Sequence, residues 1–114
     1  GGSGFIGGYV YRHFKDRGYN VKNFDIIGDK SDLNYIQGSI SDFDLVNSAI
    51  LENNIDIVFH FAGFSNINKV KDSPLECVYL NIIGATNFLE ALRLNGNSSF
   101  VFNNKFLRSG YLLC

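Results

Sequence analysis

The chain has 114 residues, enough for one domain of modest size and too few for two. Hydrophobic residues make up 46% and charged residues 18%, which suits a buried core and argues against disorder. The formal net charge of −1 gives no electrostatic reason to expect nucleic acid or an anionic membrane as partner, and no apolar run approaches the roughly 18–20 residues of a membrane span.

In chain order, Ile6, Val10 and Phe14 recur every four residues and predict a helix from Phe5 to Arg17, closed by Gly18 as its C-cap. Val21 to Ile27 is β-branched and aromatic and predicts a strand ending at or just after Asp25. A polar loop follows to Asn34, then a brief strand at Tyr35-Ile36-Gln37 stopped by Gly38. Ser41 and Asp42 are N-cap candidates for a helix over Phe43 to Glu52, which Asn53-Asn54 breaks. Ile55 to Ala62 is nearly all apolar and predicts a strand buried on both faces of a parallel sheet. After a loop to Asp72, Ser73-Pro74-Leu75-Glu76 predicts a capping box, opening a helix to about Leu94. Leu75, Val78, Ile82, Ala85, Leu89 and Leu92 form its expected core stripe; Tyr79, Ile83 and Thr86 form a second edge suited to a partner helix. Asn95-Gly96 stops it, and Ser99 to Asn103 predicts a last strand. Strands alternating with helices predict an α/β fold, a doubly wound parallel sheet in three layers.

The chain contains no Met and opens on Gly1-Gly2-Ser3-Gly4, so we read it as part of a longer protein lacking the strand that would lead into the glycines. That strand would lie between the Val21–Ile27 and Ile55–Ala62 strands, and without it a marginally stable or aggregating chain is expected. Residues 1–102 are read as a partial nucleotide-binding domain, and 103–114 as an aberrant or truncated tail. Cys77 and Cys114 form no spaced framework, and no signal peptide is visible. A reduced, cytoplasmic chain is expected, with neither cysteine a metal ligand or nucleophile.

Gly2-Ser3-Gly4-Phe5-Ile6-Gly7 fits G-x-G-x-x-G, and Gly1, Gly4 and Gly7 also fit G-x-x-G-x-x-G. A tight turn, close backbone approach to a pyrophosphate and close helix–strand packing each exclude a Cβ, and the helix N-terminus offers N–H groups to the phosphates. Asp25 falls 18 residues after Gly7, at the end of the next strand, where a carboxylate can accept from both hydroxyls of an adenosine ribose. The same charge repels a 2′-phosphate, so NAD is expected rather than NADP.

With FDI, VFHFAG and NIIGATNFLEAL following GGSGFIGGYV, the chain resembles the extended short-chain dehydrogenase/reductase family, whose fold is of Rossmann type. Its members include nucleotide-sugar epimerases and dehydratases, UDP-galactose 4-epimerase and dTDP-glucose dehydratase among them, and VFHFAG is closest to the UDP-hexose 4-epimerase form. The resemblance implies that Gly1, Gly4 and Gly7 shape the loop, that Phe5 and Ile6 lie against the pyrophosphate, and that Asp25 holds the ribose. It implies that Phe61, Ala62 and Gly63 line the cofactor cleft. Gly38-Ser39-Ile40 matches the family's Gly-Asp-Ile/Leu, whose acid contacts the adenine amine; at Ser39 an uncharged hydroxyl replaces it, so weaker adenine recognition is expected. Leu80, just before Asn81, departs from relatives that place a polar residue toward the cofactor.

His60 in an apolar strand reads as a hydrogen-bonded core residue rather than a base or metal ligand, and His13 on a polar helix face has less claim still. The family works with a Tyr-x-x-x-Lys pair helped by a Ser or Thr after the fifth strand. Here only Tyr111 follows Phe102, with no Lys after it, and Ser109 falls too late, so no catalytic residue is assigned. The resemblance implies a nucleotide-sugar substrate for the parent enzyme and a homodimer contact through the 74–94 helix. Two readings stay open: the NAD-binding portion of an epimerase or dehydratase, which is favoured, or a non-catalytic NAD(P)-binding sensor of the same fold. The nucleotide sugar is not legible, nor is the choice between epimerase and dehydratase.

Overall fold

The computed structural model describes residues 1–64, 71–96 and 99–102. Its elements run α1 (Phe5–Lys15), β1 (Asn23–Asp25), β2 (Tyr35–Gln37), α2 (Phe43–Glu52), β3 (Ile57–His60), α3 (Pro74–Val78), a π-helical turn (Tyr79–Ile83), α4 (Gly84–Leu94) and β4 (Ser99–Phe102). Part of the expected loop, 65–70, and the expected tail, 103–114, lie outside the described residues.

The local chemistry accounts for most boundaries. Gly18, at φ +81°, ends α1 in the left-handed conformation, and the N–H of Tyr19 reaches back to the Phe14 carbonyl at 3.2 Å. The helix itself stops at Lys15, two residues short of the expected Arg17. Asp42 caps α2, its carboxylate accepting from the Leu45 N–H at 3.1 Å. β2 and α2 have the expected bounds, whereas β1 and β3 are trimmed to three and four residues. Pro74 opens α3, but the Ser73 side chain makes no capping hydrogen bond, so the expected capping box does not form.

The strands form two parallel pairs. β1 runs beside β2 with Phe24 opposite Ile36, and β3 beside β4 with Phe59 opposite Val101. Neither pair is joined to the other through its strands. Between them lies a cleft of about 350 Å³ whose walls include Val10, Phe14, Phe24, Ile36, Val58 and Phe61. This gap falls where the sequence places the additional strand.

Alternation along β3 sorts the helices into layers. Val58 and His60 face a core of Ile40, Val46, Ile50, Phe88, Ala91 and Leu92, where α2 packs on α4. Ile57 and Phe59 point the other way, and the α1 residue Phe14 meets the Phe59 ring at 5.3 Å. β3 is therefore not buried on both faces as its composition predicts: Ile57 remains 50% and Phe59 39% exposed, because one helix covers that face only in part. Full burial of a side chain such as Val46 or Ile50 is worth roughly 1.5–3 kcal/mol, so the α2–α4 contact contributes several kcal/mol of packing energy.

Of the stripe expected to face inward along the long helix only Leu92 is buried, with Ala85 half-buried. Cys77, Gly84, Phe88, Ala91 and Leu92 are buried, while Leu75, Val78, Ile82 and Leu89 are exposed. The helix is apolar on two sides, so periodicity alone does not say which faces the core. Gly84 decides it, since a Cβ there would overlap the Ile40 side chain.

The unfilled cleft carries a stability prediction. Facing strand edges and apolar walls that stay open to solvent should make the 114-residue chain by itself melt broadly or self-associate. Calorimetry with sedimentation tests this; one sharp transition from a monomer would contradict it.

Candidate dinucleotide-binding site

Three segments converge at the carboxyl ends of β1 and β3. Gly1 is wedged between them: its nitrogen donates to the Phe24 carbonyl at 2.7 Å, and a Cβ on it would overlap the backbone of Ala62. Gly2 lies against the Asn23 side chain, which donates from Nδ2 to Ser3 Oγ at 3.1 Å. At Gly7 any Cβ would overlap the Gly1 carbonyl. The glycines thus let the loop fold onto both strand ends and onto its own helix.

The loop delivers α1 with an open N-terminus. Gly4 is its N-cap in extended conformation, no side chain caps it, and the first turn holds no acidic residue. Phe5 is 97% exposed and Ile6 is also exposed. A helix start of this kind presents unpaired N–H groups and partial positive charge, which suits a phosphate.

Asp25 stands beside that loop. Its Oδ2 accepts from the Ser3 N–H at 3.0 Å, while among the described residues Oδ1 has only a long 3.5 Å contact to the Ile27 N–H. A carboxylate can accept about four hydrogen bonds, so capacity for two hydroxyls is left. The backbone carbonyl of Asp25 receives the Gly38 N–H at 3.0 Å, which brings Ser39 to the same edge. Ser39 Oγ is 2.7 Å from Ser41 Oγ, and it accepts from the Ser41 N–H at 3.3 Å. Ile40 differs from the other expected site residues: its side chain is buried in the core, and its carbonyl accepts from Asn87 Nδ2 at 2.8 Å.

Beyond β3, Phe61 and Ala62 are half-buried and Gly63 is exposed. Asn81, in the π-helical turn, holds this segment from behind: Oδ1 accepts from the Phe64 N–H at 2.7 Å and Nδ2 donates to the Phe64 carbonyl at 3.3 Å. Gly63 has φ +153°, and a Cβ there would come within 2.6 Å of Asn81 Oδ1. The sequence offered one signal for this role, a lone amide inside the apolar run Leu80-Asn81-Ile82-Ile83.

A glycine-rich turn onto an open helix start, with a carboxylate at the next strand end, all at the carboxyl edge of parallel strands, defines a Rossmann-type dinucleotide-binding fold. Residues 1–104 match the model of the NAD dependent epimerase/dehydratase family, and the chain belongs to that family. It is 26% identical to a UDP-glucose 4-epimerase of Bacillus subtilis across 91% of this chain and 34% of the relative. It is 30% identical to a dTDP-glucose 4,6-dehydratase of Xanthomonas campestris across 82% of this chain and 30% of the relative. Among solved structures, the UDP-glucose 4-epimerase of Thermus thermophilus in complex with NAD superposes with a TM-score of 0.82 at 27% identity, over 90% of this chain and 35% of that one. The Thermotoga maritima UDP-glucose 4-epimerase with UDP-glucose gives 0.81 at 29% identity, with the same two coverages. The chain thus spans about a third of the length of these relatives. Among the described residues no helix is long and apolar enough to cross a membrane.

His60 sits just before the cleft segment but on the core side. It is buried, 5.6 Å from the Phe88 ring and 5.7 Å from that of Phe100. Burial pushes its pKa down to about 4. Above the unfolded value near 6.5 both states are neutral; below it the unfolded chain takes up a proton that the folded chain refuses. Stability should therefore fall as pH drops from about 6.5 to about 4, by up to roughly 3 kcal/mol. Urea unfolding across this window, set against His60→Phe, measures it, and an unchanged slope in the variant would remove His60 as the cause.

Proposed function

We propose that this chain is the NAD-binding portion of a nucleotide-sugar epimerase or dehydratase. The observation that carries the reading is the meeting of Asp25, the open start of α1 and the Phe61-Ala62-Gly63 segment at one edge. In this reading Gly1, Gly4 and Gly7 keep the loop low, and the first-turn N–H groups at Phe5 and Ile6 receive the pyrophosphate. Asp25 accepts from the ribose hydroxyls, and Ser39, with the Ile40 backbone, flanks the adenine. Phe61, Ala62 and Gly63 form the wall on which the dinucleotide continues, and the Asn81 amide fixes that wall.

NAD bound here supplies a reversible hydride acceptor for a carbon of a nucleotide-linked sugar. The chain's own share is binding and orientation: its one Tyr-x-x-x-Lys spacing, Tyr11 to Lys15, lies in α1, and none follows Phe102 in the sequence. The VFHFAG segment favours a UDP-hexose 4-epimerase, hence an isomerase, over a dehydratase. A non-catalytic sensor of the same fold has no specific feature in its favour. A cytoplasmic setting also belongs to this reading.

A homodimer through the 74–94 helix also belongs to this proposal. Leu75 is 85% exposed, and Tyr79, Ile82, Ile83 and Leu89 extend the same outward apolar surface.

In the complete protein, NAD should bind in preference to NADP, and Asp25→Ala should weaken NAD about tenfold or more while easing the entry of NADP. Titration of both dinucleotides decides it; equal affinity in the unmodified protein would refute the assignment. With NAD and UDP-galactose the 114-residue chain should give no turnover and the complete protein should epimerise. Activity from the chain alone would show that the missing Tyr and Lys are not required.

A further inference from the structure

Asn23 is an amide at a buried strand position that an apolar side chain would suit better. It opens β1, its backbone N–H bonds to the Asn34 carbonyl at 2.8 Å, and the residue is only 8% exposed. Asparagine is disfavoured in strands, and burying its amide costs free energy unless both ends find partners. One end does: Nδ2 donates to Ser3 Oγ at 3.1 Å. The other does not, since Oδ1 is buried with no hydrogen-bond partner among the described residues. Turning the amide over would not relieve this. A Cβ on Gly2 would overlap Oδ1, so the Cα–H bond in that direction points at it. Such a weak contact suits an oxygen, whereas an NH2 group would press its hydrogens against that bond. Stability gains little from this amide, and a local rule broken without such a gain is the pattern of a functional site.

The amide controls Ser3. Asn23 and Asp25 stand two apart on β1 and so share a face of the strand. Both reach Ser3: the carboxylate takes its N–H at 3.0 Å and the amide bonds its hydroxyl. Ser3 is otherwise exposed. A serine hydroxyl has one proton and two lone pairs. Asn23 fills a lone pair from the strand side, which leaves the proton to be given outward. Because that hydroxyl and the N–H on Asp25 belong to one residue, the free proton and the carboxylate border the same spot. A ribose hydroxyl that donates to Asp25 keeps its own lone pairs, and Ser3 is the donor beside it.

We propose that Ser3 is a further dinucleotide-binding residue, its hydroxyl donating to an adenosine ribose oxygen held by Asp25, and that Asn23 is the positioning residue that sets this polarity. This rests on the reading of the Asp25 edge as the ribose site. The two contacts are complementary: Asp25 accepts the protons that the ribose hydroxyls give, and Ser3 supplies the donor that a carboxylate cannot.

The test uses the complete protein and two probes, ADP and 2′,3′-dideoxy-ADP, which share base and pyrophosphate and differ only in the ribose hydroxyls. Affinities are measured by titration in the unmodified protein, Ser3→Ala, Ser3→Thr, Asn23→Leu and the Ser3→Ala/Asn23→Leu double variant. Ser3→Ala should weaken ADP about three- to tenfold and leave dideoxy-ADP unchanged within about twofold. Ser3→Thr, which keeps the hydroxyl, should retain most of the ADP affinity. Asn23→Leu should also weaken ADP selectively, by no more than Ser3→Ala does. The double variant should match Ser3→Ala, because Asn23 acts only through Ser3. Equal weakening of both probes would make the pair a scaffold for the glycine loop and overturn the proposal. So would an unchanged ADP affinity in Ser3→Ala, an arm at an exposed position that decides the matter even if Asn23→Leu does not fold. Equal affinity for the two probes in the unmodified protein would instead refute the ribose assignment at Asp25, and the proposal with it.

Discussion

The site depends on one contact, the seating of the Gly1–Ser3 backbone between the ends of β1 and β3. Gly1 bonds to the Phe24 carbonyl on one side and abuts Ala62 on the other, and Ser3 gives its N–H to Asp25. Each of these is a main-chain approach that a side chain at Gly1 or Gly7 would block. Because the loop is held from both strands, the direction of α1 is fixed by sheet geometry rather than by caps. That is why its N-terminus can stay uncapped, a condition that costs stability in an ordinary helix but leaves N–H groups available to an anion.

The long second-half helix is tied to the same edge through its π-helical turn. A wider turn changes the angular phase between the residues before and after it. Here it carries Asn81 toward the β3 exit and leaves Tyr79, Ile82 and Ile83 outside. One irregularity therefore serves two surfaces, bracing the cleft wall within and presenting apolar side chains without.

Much of this was legible in the sequence, for identifiable reasons. β2 and α2 could be bounded to the residue because their stops are chemical: Gly38 after the strand, Asp42 and Asn53 around the helix. The glycine loop and Asp25 could be paired because their spacing reflects one turn of helix-and-strand geometry. Burial was harder. Along the 74–94 helix periodicity identifies Leu92 as core but not Phe88 or Ala91, since two apolar stripes coexist and the Gly84–Ile40 approach sets which one faces inward. The capping box failed at Ser73, whose φ of −142° and ψ of 67° define a backbone state that a four-residue motif does not determine. Ile40 entered the expected site by analogy, but its side chain fills the core beneath Gly84. The hydrogen-bonded Tyr11–Asp32–Lys15 cluster was half legible: Tyr11 and Lys15 stand four apart on one helix face, but Asp32 comes from a loop that the sequence does not connect to them.

The charge arrangement at this edge also explains how a chain with net charge −1 can receive a dinucleotide carrying negative phosphates. The affinity for the pyrophosphate need not come from lysines, because a helix start supplies fixed N–H dipoles at short range. Side-chain charge is then released for discrimination. In the proposed site Asp25 is the negative group that an extra phosphate on the ribose would meet. Backbone dipoles are indifferent to what else the ligand carries, whereas carboxylates are not. With attraction placed in the main chain and rejection in a side chain, the proposed site would let selectivity change by a substitution at the end of β1 without disturbing the glycine turn on which the cleft depends.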